Sequence, residues 1–344
     1  MNSFLRKAIF SLESPYGAIL PYNLNWMLAA GDPVVTRGLP EPIVLVDVGC
    51  RGGLPGELWP VRRLVRHIGF DADVVECNRL NAEPHELAGR TIYPHFVGGQ
   101  QGTTPFHLFK DPGESSALGP DARFASVFAE PTFGVDRTVQ LESTTMDAFF
   151  ASHPELARPD MIKLDSQGTE LEILRGATAC LRTCSLVEIE VEFISMYEGQ
   201  ALFHDIMGFM LGQGYDLLFL NRFSRQRRGF QGHAKGQIIF GDALFVRRED
   251  RLDHYDPRRL ARFLTLLINY GHLDLAHHLL ATQPLSDDDR LFYEEYLRRR
   301  LGFRGRRRIA SLLNPFIDKL LLLLLYLRRH NALWFDSDRS WPTR

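Results

Sequence analysis

Residues 46–53 read VDVGCRGG, preceded by the apolar run Ile43-Val44-Leu45 and followed by GFDAD at 69–73. A short apolar run predicts a strand covered on both faces of a parallel sheet. In such sheets a ligand sits outside the carboxyl ends of the strands. The turn after the first strand must then pass close to it, and glycine leaves that backbone bare. Gly49, Gly52 and Gly53 supply the turn, with Arg51 inside it. A helix behind the turn would add free N–H groups and a positive dipole end. Asp47, near the strand end, can accept hydrogen bonds from a ligand amine or from the turn. The spacing is D-x-G-x-x-G, whereas a pyrophosphate site shows G-x-G-x-x-G. An aspartate beside a diphosphate would also repel it. The residues therefore point to a nucleotide-like cofactor and disfavour a nicotinamide dinucleotide.

Asp71 lies 24 residues after Asp47, at the end of a second strand predicted over 66–70. An acid there can chelate two ribose hydroxyls. In MIKLDSQGTELEILRGA (161–177), apolar residues lead to Asp165 at a strand tip facing the same cleft as Gly49. Gly168 permits a sharp turn, and Thr169 and Glu170 suit a first helical turn. In SLVEIEVEF (185–193), Glu188, Glu190 and Glu192 alternate with apolar residues and share one face of a strand. Burying an unpaired carboxylate costs several kcal/mol. These three must lie at an open strand end, pair with Lys or Arg, or form a site. An ion pair is the reading for Glu188; both readings stay open for Glu190 and Glu192.

Positioning these groups requires a framework. Strands are predicted over 43–48, 66–70, 91–99, 161–165, 185–193, 215–220 and 237–248, and helices over 57–68, 74–83 and 168–183. Alternation of this kind implies an α/β doubly wound parallel sheet, and the last two strands, joined by a polar loop, an antiparallel hairpin at its edge. Residues 100–150, rich in Gly, Pro, Ser and Thr, read as a hairpin or lid. Residues 1–40 form an arm, 41–250 the α/β domain, and 251–344 a helical extension with a hairpin around Gly271.

The chain of 344 residues is 45% hydrophobic and 24% charged, with formal net charge −2, which argues against a protein that coats nucleic acid. Four cysteines are too few for a disulfide scaffold, and Cys180 and Cys184 lack the second Cys/His pair that zinc requires. No metal is expected from sequence alone. The first apolar run is broken by Glu13, Ser14 and Pro15, and no uninterrupted apolar stretch reaches 18 residues. A cytoplasmic location is the expectation. The basic loop 222–235 suits solvent or an acidic substrate better than RNA. The basic run 298–308 and Leu320–Leu327 allow two readings. They pack on the domain or a second copy, or they lie on the inner face of an anionic membrane.

Taken in order, VDVGCRGG, GFDAD, GESSALGP (113–120), IKLDSQGTELEILRGA, VEIEVEFISMYEGQALFHDI (187–206) and GDALFVRR (241–248) resemble the FkbM-type methyltransferases. The resemblance runs from about residue 43 to 248. It implies a Rossmann-like methyltransferase fold with a mostly parallel seven-stranded sheet, here with the added C-terminal helical segment. It also implies S-adenosylmethionine as donor and a hydroxyl acceptor on a sugar, glycolipid or other small molecule. By carry-over Asp47, Gly49 and Gly53 hold the methionine part, with Arg51 and Gly52 in the same turn, and Asp71 holds the ribose. Asp165 stands where the methyl group is delivered. The candidate bases are Asp165, then Glu190, then His204; Asp165 could instead position the donor or hold a divalent cation with Glu190. Ser116, with Ser115, would cap donor or acceptor. The family often shows D-V-E-G where this chain has Asp165-Ser166-Gln167-Gly168. The Asn-Pro-Pro-Tyr pattern of amino-group methyltransferases is absent, which favours oxygen as the acceptor atom. A donor-binding subunit without catalysis is the competing reading.

Overall fold

The computed structural model describes residues 37–231, 236–253 and 255–301. Nearly all of the expected arm, and the Leu-rich run 320–327, lie outside the described residues. The chain divides into two compact units. The larger holds Pro40–Phe230 and Gln237 onward to residue 254; the described part of the smaller is chiefly Tyr255–Leu301.

The larger unit begins with β1 (Ile43–Val48), a 3-10 segment (Gly56–Leu64), β2 (Val65–Phe70), α1 (Val74–Ala82), β3 (Gly89–Tyr93) and β4 (Phe96–Val97). Next come β5 (Gly102–Phe109), α2 (Ala122–Val127), β6 (Val135–Thr144), α3 (Met146–Ser152) and β7 (Met161–Leu164). It ends with α4 (Glu170–Arg175), α5 (Thr178–Leu181), β8 (Leu186–Glu192), α6 (Phe203–Gly212), β9 (Tyr215–Leu220), β10 (Phe223–Arg225) and β11 (Gln237–Arg247). In the smaller unit α7 (Pro257–Asn269) and α8 (Leu273–Thr282) flank Gly271 at φ +85°, and α9 (Asp287–Leu301) follows.

Eight strands form the main sheet, in the order β3-β2-β1-β7-β8-β11, with β9 and β10 both paired to the outer side of β11. These two occupy one strand position, so the expected seven positions are present. Strands β3, β2, β1, β7 and β8 run parallel; β11 is antiparallel to β8 and to β9. The last long strand is thus inserted inside the sheet, not on its edge. A second sheet, β4-β6-β5, contains the hairpin expected in 100–150.

Several helices differ from the sequence reading, each for a local reason. The helix expected over 57–68 is a 3-10 segment that ends at Leu64. Pro60 removes a donor inside it, and the apolar side chains beyond Leu64 are buried in β2. The segment that directly follows the first turn is therefore not an α-helix. The helix expected over 168–183 is two, parted at Gly176, where an added Cβ would sit 3.0 Å from the Gly98 carbonyl and from Thr145. The 100–150 segment also carries α3, capped by Thr145 Oγ1 accepting from the Ala148 N–H at 3.1 Å.

The strands alternate faces. Val44, Val46, Val48, Ile162, Leu164, Val187, Ile189 and Val191 join one apolar core with Phe149 and Phe150 of α3. Each such side chain contributes about 1.5–3 kcal/mol when fully buried. The opposite face of the central strands is polar at its middle, with Asp47, Lys163 and Glu188 in register. At the end of β8, Glu192 is 1% exposed, and neither oxygen makes a close hydrogen bond among the described residues. Burial and the neighbouring Glu170 push its carboxyl well above the usual range, and Gln200 offsets this only in part.

Two expectations follow. Gly49 has φ +78°, and a Cβ there would lie 1.9 Å from the Asp165 carbonyl oxygen. Gly49→Ala should destabilise the protein by about 3 kcal/mol or more, read in urea unfolding. The second concerns pH. The folded state keeps a proton on Glu192 that the unfolded chain releases above its ordinary pKa of about 4.3. Stability therefore falls as pH rises from there toward the raised folded value. Glu192→Gln removes this loss, so it should gain about 1–3 kcal/mol on wild type between pH 5 and pH 8, and nothing near pH 4.

Candidate active site

One cavity of about 660 Å³ lies at the carboxyl ends of β1, β2 and β7. Its floor is the first turn. The Gly49 N–H donates to the Phe70 carbonyl at 2.9 Å, and the Gly53 N–H donates to that of Cys50 at 3.0 Å. Gly49, Gly52 and Gly53 all have φ between +78° and +88°, conformations that side chains resist. Arg51 borders the cavity with its guanidinium 2.8 Å from Asp73.

The second loop carries Asp71. Its Oδ1 accepts from the Asp73 N–H at 2.8 Å, which closes a tight turn before α1. Burial pushes the Asp71 carboxyl up, outweighing that N–H and the Arg51 charge. Asp73 is itself buried a little, but Arg51 and the Glu76 and Val75 N–H groups hold its carboxyl low. Val74 and Val75 on the cavity rim are 54% and 77% exposed.

The third loop is Asp165-Ser166-Gln167-Gly168. Glu170 Oε1 accepts from the Ser166 N–H at 2.8 Å, the Ser166 hydroxyl at 2.9 Å and the Gly168 N–H at 3.2 Å. Asp165 Oδ2 lies 3.2 Å from Lys163 Nζ, and its Oδ1 accepts from Gln167 Nε2 at 2.9 Å. Burial pushes the Asp165 carboxyl up, but Lys163 and Gln167 outweigh it and hold it below the usual range. Lys163 stays firmly protonated: burial opposes its charge, while Asp165, Asp47, Glu188 and Asp242 more than restore it. Gln167 Nε2 also donates to Glu190 Oε2 at 2.9 Å. Burial and the nearby Asp165 push the Glu190 carboxyl well up. The opposite wall is one face of the β5/β6 hairpin, where Phe106 stands opposite Val139 and Leu108 opposite Arg137, with Leu141 beyond.

Of the residues singled out from sequence, Gly49, Arg51, Asp71 and Asp165 line this cavity. Glu190 reaches it through Gln167. Ser116 is fully buried, with its hydroxyl donating to the Gln167 carbonyl at 2.6 Å, so it holds the loop and does not face the space; Ser115 does. Gly52 and Gly53 shape the turn without lining the cavity. Asp47 is not in the cavity either. Strand alternation turns it to the face opposite Val48, where it is 1% exposed and its Oδ2 lies 3.1 Å from His67 Nε2. His204 is on the first turn of α6, with its side chain 76% exposed and beside Asp205. Among the described residues no three or more His, Cys, Asp or Glu are grouped to hold a metal ion.

The sequence reading missed Lys163, Tyr197 and the apolar hairpin wall. A lysine between Ile162 and Leu164 in a buried strand was a usable signal, as was the period-2 pairing of Phe106 with Leu108 and Val139 with Leu141.

The family model of the methyltransferase FkbM domain matches residues 63–217, somewhat less than half of the chain. The match begins after the first turn and takes in Asp71, Asp165 and Glu190. No curated protein matches the chain. Among solved structures, a methyltransferase FkbM from Methylobacillus flagellatus is 13% identical, with TM-score 0.34, over 60% of this chain and 43% of that one. The chain thus spans less than half the length of that relative. A magnesium protoporphyrin IX methyltransferase from Synechocystis, with bound SAM, is 11% identical with TM-score 0.31, over 66% of this chain and 77% of that one. TrmK from M. capricolum, in complex with S-adenosyl-homocysteine, is 9% identical with TM-score 0.31, over 78% and 95%. The family match falls on the segment that builds β2 through β8, and that segment is similar to a methyltransferase FkbM domain.

Proposed function

We propose that the protein is an S-adenosylmethionine-dependent O-methyltransferase acting on a hydroxyl of a sugar, glycolipid or other small molecule. The observation that supports this most is that Asp71 and Asp165 border one cavity over a bare glycine turn. The volume lies within the roughly 300–1,000 Å³ of ligand pockets. The lining fits an adenosyl group. Asp71 has Oδ1 tied to its own turn, leaving Oδ2 for ribose, and Val74 and Val75 offer an apolar rim. It fits a diphosphate poorly, because Arg51 is already paired with Asp73 and Asp71 would oppose the charge.

When bound, the donor supplies a methyl group on a cationic sulfonium. The chain's own residues bind, align and move a proton. Alignment in a closed site can contribute up to about 7–11 kcal/mol. Asp165, kept ionised by Lys163 and Gln167, is the group that can accept a hydroxyl proton. A general base adds about 10²–10⁴-fold, and one with a depressed pKa falls toward the lower end of that range. Glu190 holds its proton and supports Asp165 through Gln167. His204, exposed on α6, takes no part.

Among the described residues no helix is long and apolar enough to cross a membrane. Contact of the C-terminal extension with an anionic membrane surface, or with a second copy, is part of this proposal; sedimentation with anionic liposomes tests the first. The donor reading is tested by calorimetric titration with S-adenosylmethionine, S-adenosylhomocysteine and NAD. Micromolar binding of the first two is expected, weakened about 30-fold or more by Asp71→Ala, a loss of about 2 kcal/mol. Binding of NAD alone would contradict the proposal. Asp165→Asn should keep affinity for the uncharged S-adenosylhomocysteine while transfer falls about 10²-fold; full turnover at saturating donor would remove the base from Asp165.

A further inference from the structure

Gln167 is the one described non-glycine residue with positive φ, at +60°. Left-handed backbone at such a residue costs of order 1 kcal/mol or more and persists where the surroundings over-determine it. Here they do. Its amide Nε2 donates to both Asp165 Oδ1 and Glu190 Oε2, each at 2.9 Å. Its Oε1 accepts from the Tyr197 hydroxyl at 2.8 Å, and its backbone carbonyl accepts from the Ser116 hydroxyl at 2.6 Å. Tyr197 and Ser116 are both fully buried. Glu190, Tyr197 and Ser116, all distant in sequence, thus converge on one residue, and each polar atom of its side chain is used.

The residue type matters. An amide carries two N–H donors and can bridge two carboxylate oxygens; a carboxylate has none to give. FkbM-type sequences often place Glu at this point, and this chain places Gln. We propose that Gln167 is a positioning residue of the methyl-transfer end, fixing Asp165 and Glu190 against each other and setting the charge presented to the donor's sulfonium. This rests on the donor reading above. Charged groups face this end from every side. Lys163 comes from β7, Asp47 from β1, and Glu188 and Glu192 from β8. Asp242 comes from β11 and Glu170 from α4, with Glu114 beyond Tyr197. Lys163 is the cation among them, and it is engaged with Asp165.

The test compares the affinities of S-adenosylmethionine, which is cationic at sulfur, and S-adenosylhomocysteine, which is not. Calorimetry of the full chain is run from pH 5.5 to 8 on wild type, Gln167→Glu and Gln167→Gly. In wild type the amide at 167 does not titrate, and its ratio of the two affinities is the baseline at each pH. In Gln167→Glu the new carboxyl binds a proton at low pH, with one O–H to give to a single neighbour, and loses it as pH rises. The preference for the cationic donor should then grow about fivefold or more toward pH 8. Gln167→Gly relaxes the backbone and deletes the amide. S-adenosylhomocysteine affinity should stay within about threefold, while preference for S-adenosylmethionine drops at least about threefold. If both variants change the two affinities equally at every pH, Gln167 serves packing alone and the proposal is wrong. If wild type binds neither compound, the donor reading fails first and takes this proposal with it.

Discussion

The site depends on one steric constraint, the approach of the first turn to the tip of β7. The Asp165 carbonyl oxygen occupies the place a side chain on residue 49 would take, 1.9 Å from its ideal Cβ. The Asp165 N–H donates to the Val48 carbonyl at 3.0 Å, so the two strand ends are also locked by the ladder. Only glycine meets both the contact and the φ of +78°. The bare turn at Gly49 therefore serves first to bring two strand tips together. The cavity is what remains between these tips, the Asp71 turn and the β5/β6 hairpin.

Charge is then divided by position. Asp165 and Glu190 both accept from one amide, and Asp165 also has Lys163 Nζ at 3.2 Å. Coulomb attraction in a partly dry site outweighs the desolvation of Asp165, while burial and the neighbouring Asp165 push Glu190 up. Two carboxyl groups of similar intrinsic acidity are thus pushed in opposite directions. The amide at Gln167 makes this arrangement compatible with close approach, because it donates to both.

Much of the frame was legible. The strand positions followed from apolar runs bounded by Gly, Asp and Pro, and Asp71 and Asp165 were found at strand tips facing one cavity. The errors have physical causes. Asp47 has the right residue type two positions before Gly49, but strand alternation faces it to His67, and register relative to the cleft is not written in a run whose six residues are all buried. His204 fell within a segment resembling the family, yet its place on the first turn of α6 leaves it in solvent. Apolar spacing suggests a helix over 57–68, but Pro60 and the burial of most of residues 65–70 in β2 decide otherwise. The hairpin wall is masked in the sequence because the Gly, Pro, Ser and Thr content of residues 100–150 obscures their alternation. Tyr197 could not be found from sequence, since its contact with Gln167 spans 30 positions.

The central claim is that one cavity holds a donor between Asp71 and Asp165. A crystal structure of the full chain with S-adenosylhomocysteine tests it most directly. The account predicts ribose hydroxyls at hydrogen-bond distance from Asp71, about 2.6–3.0 Å. It also predicts that the sulfur lies closer to Asp165 than to Asp71, above the Gly49 turn. A nucleoside bound outside this cavity, or inside it with the ribose turned away from Asp71, would contradict the account.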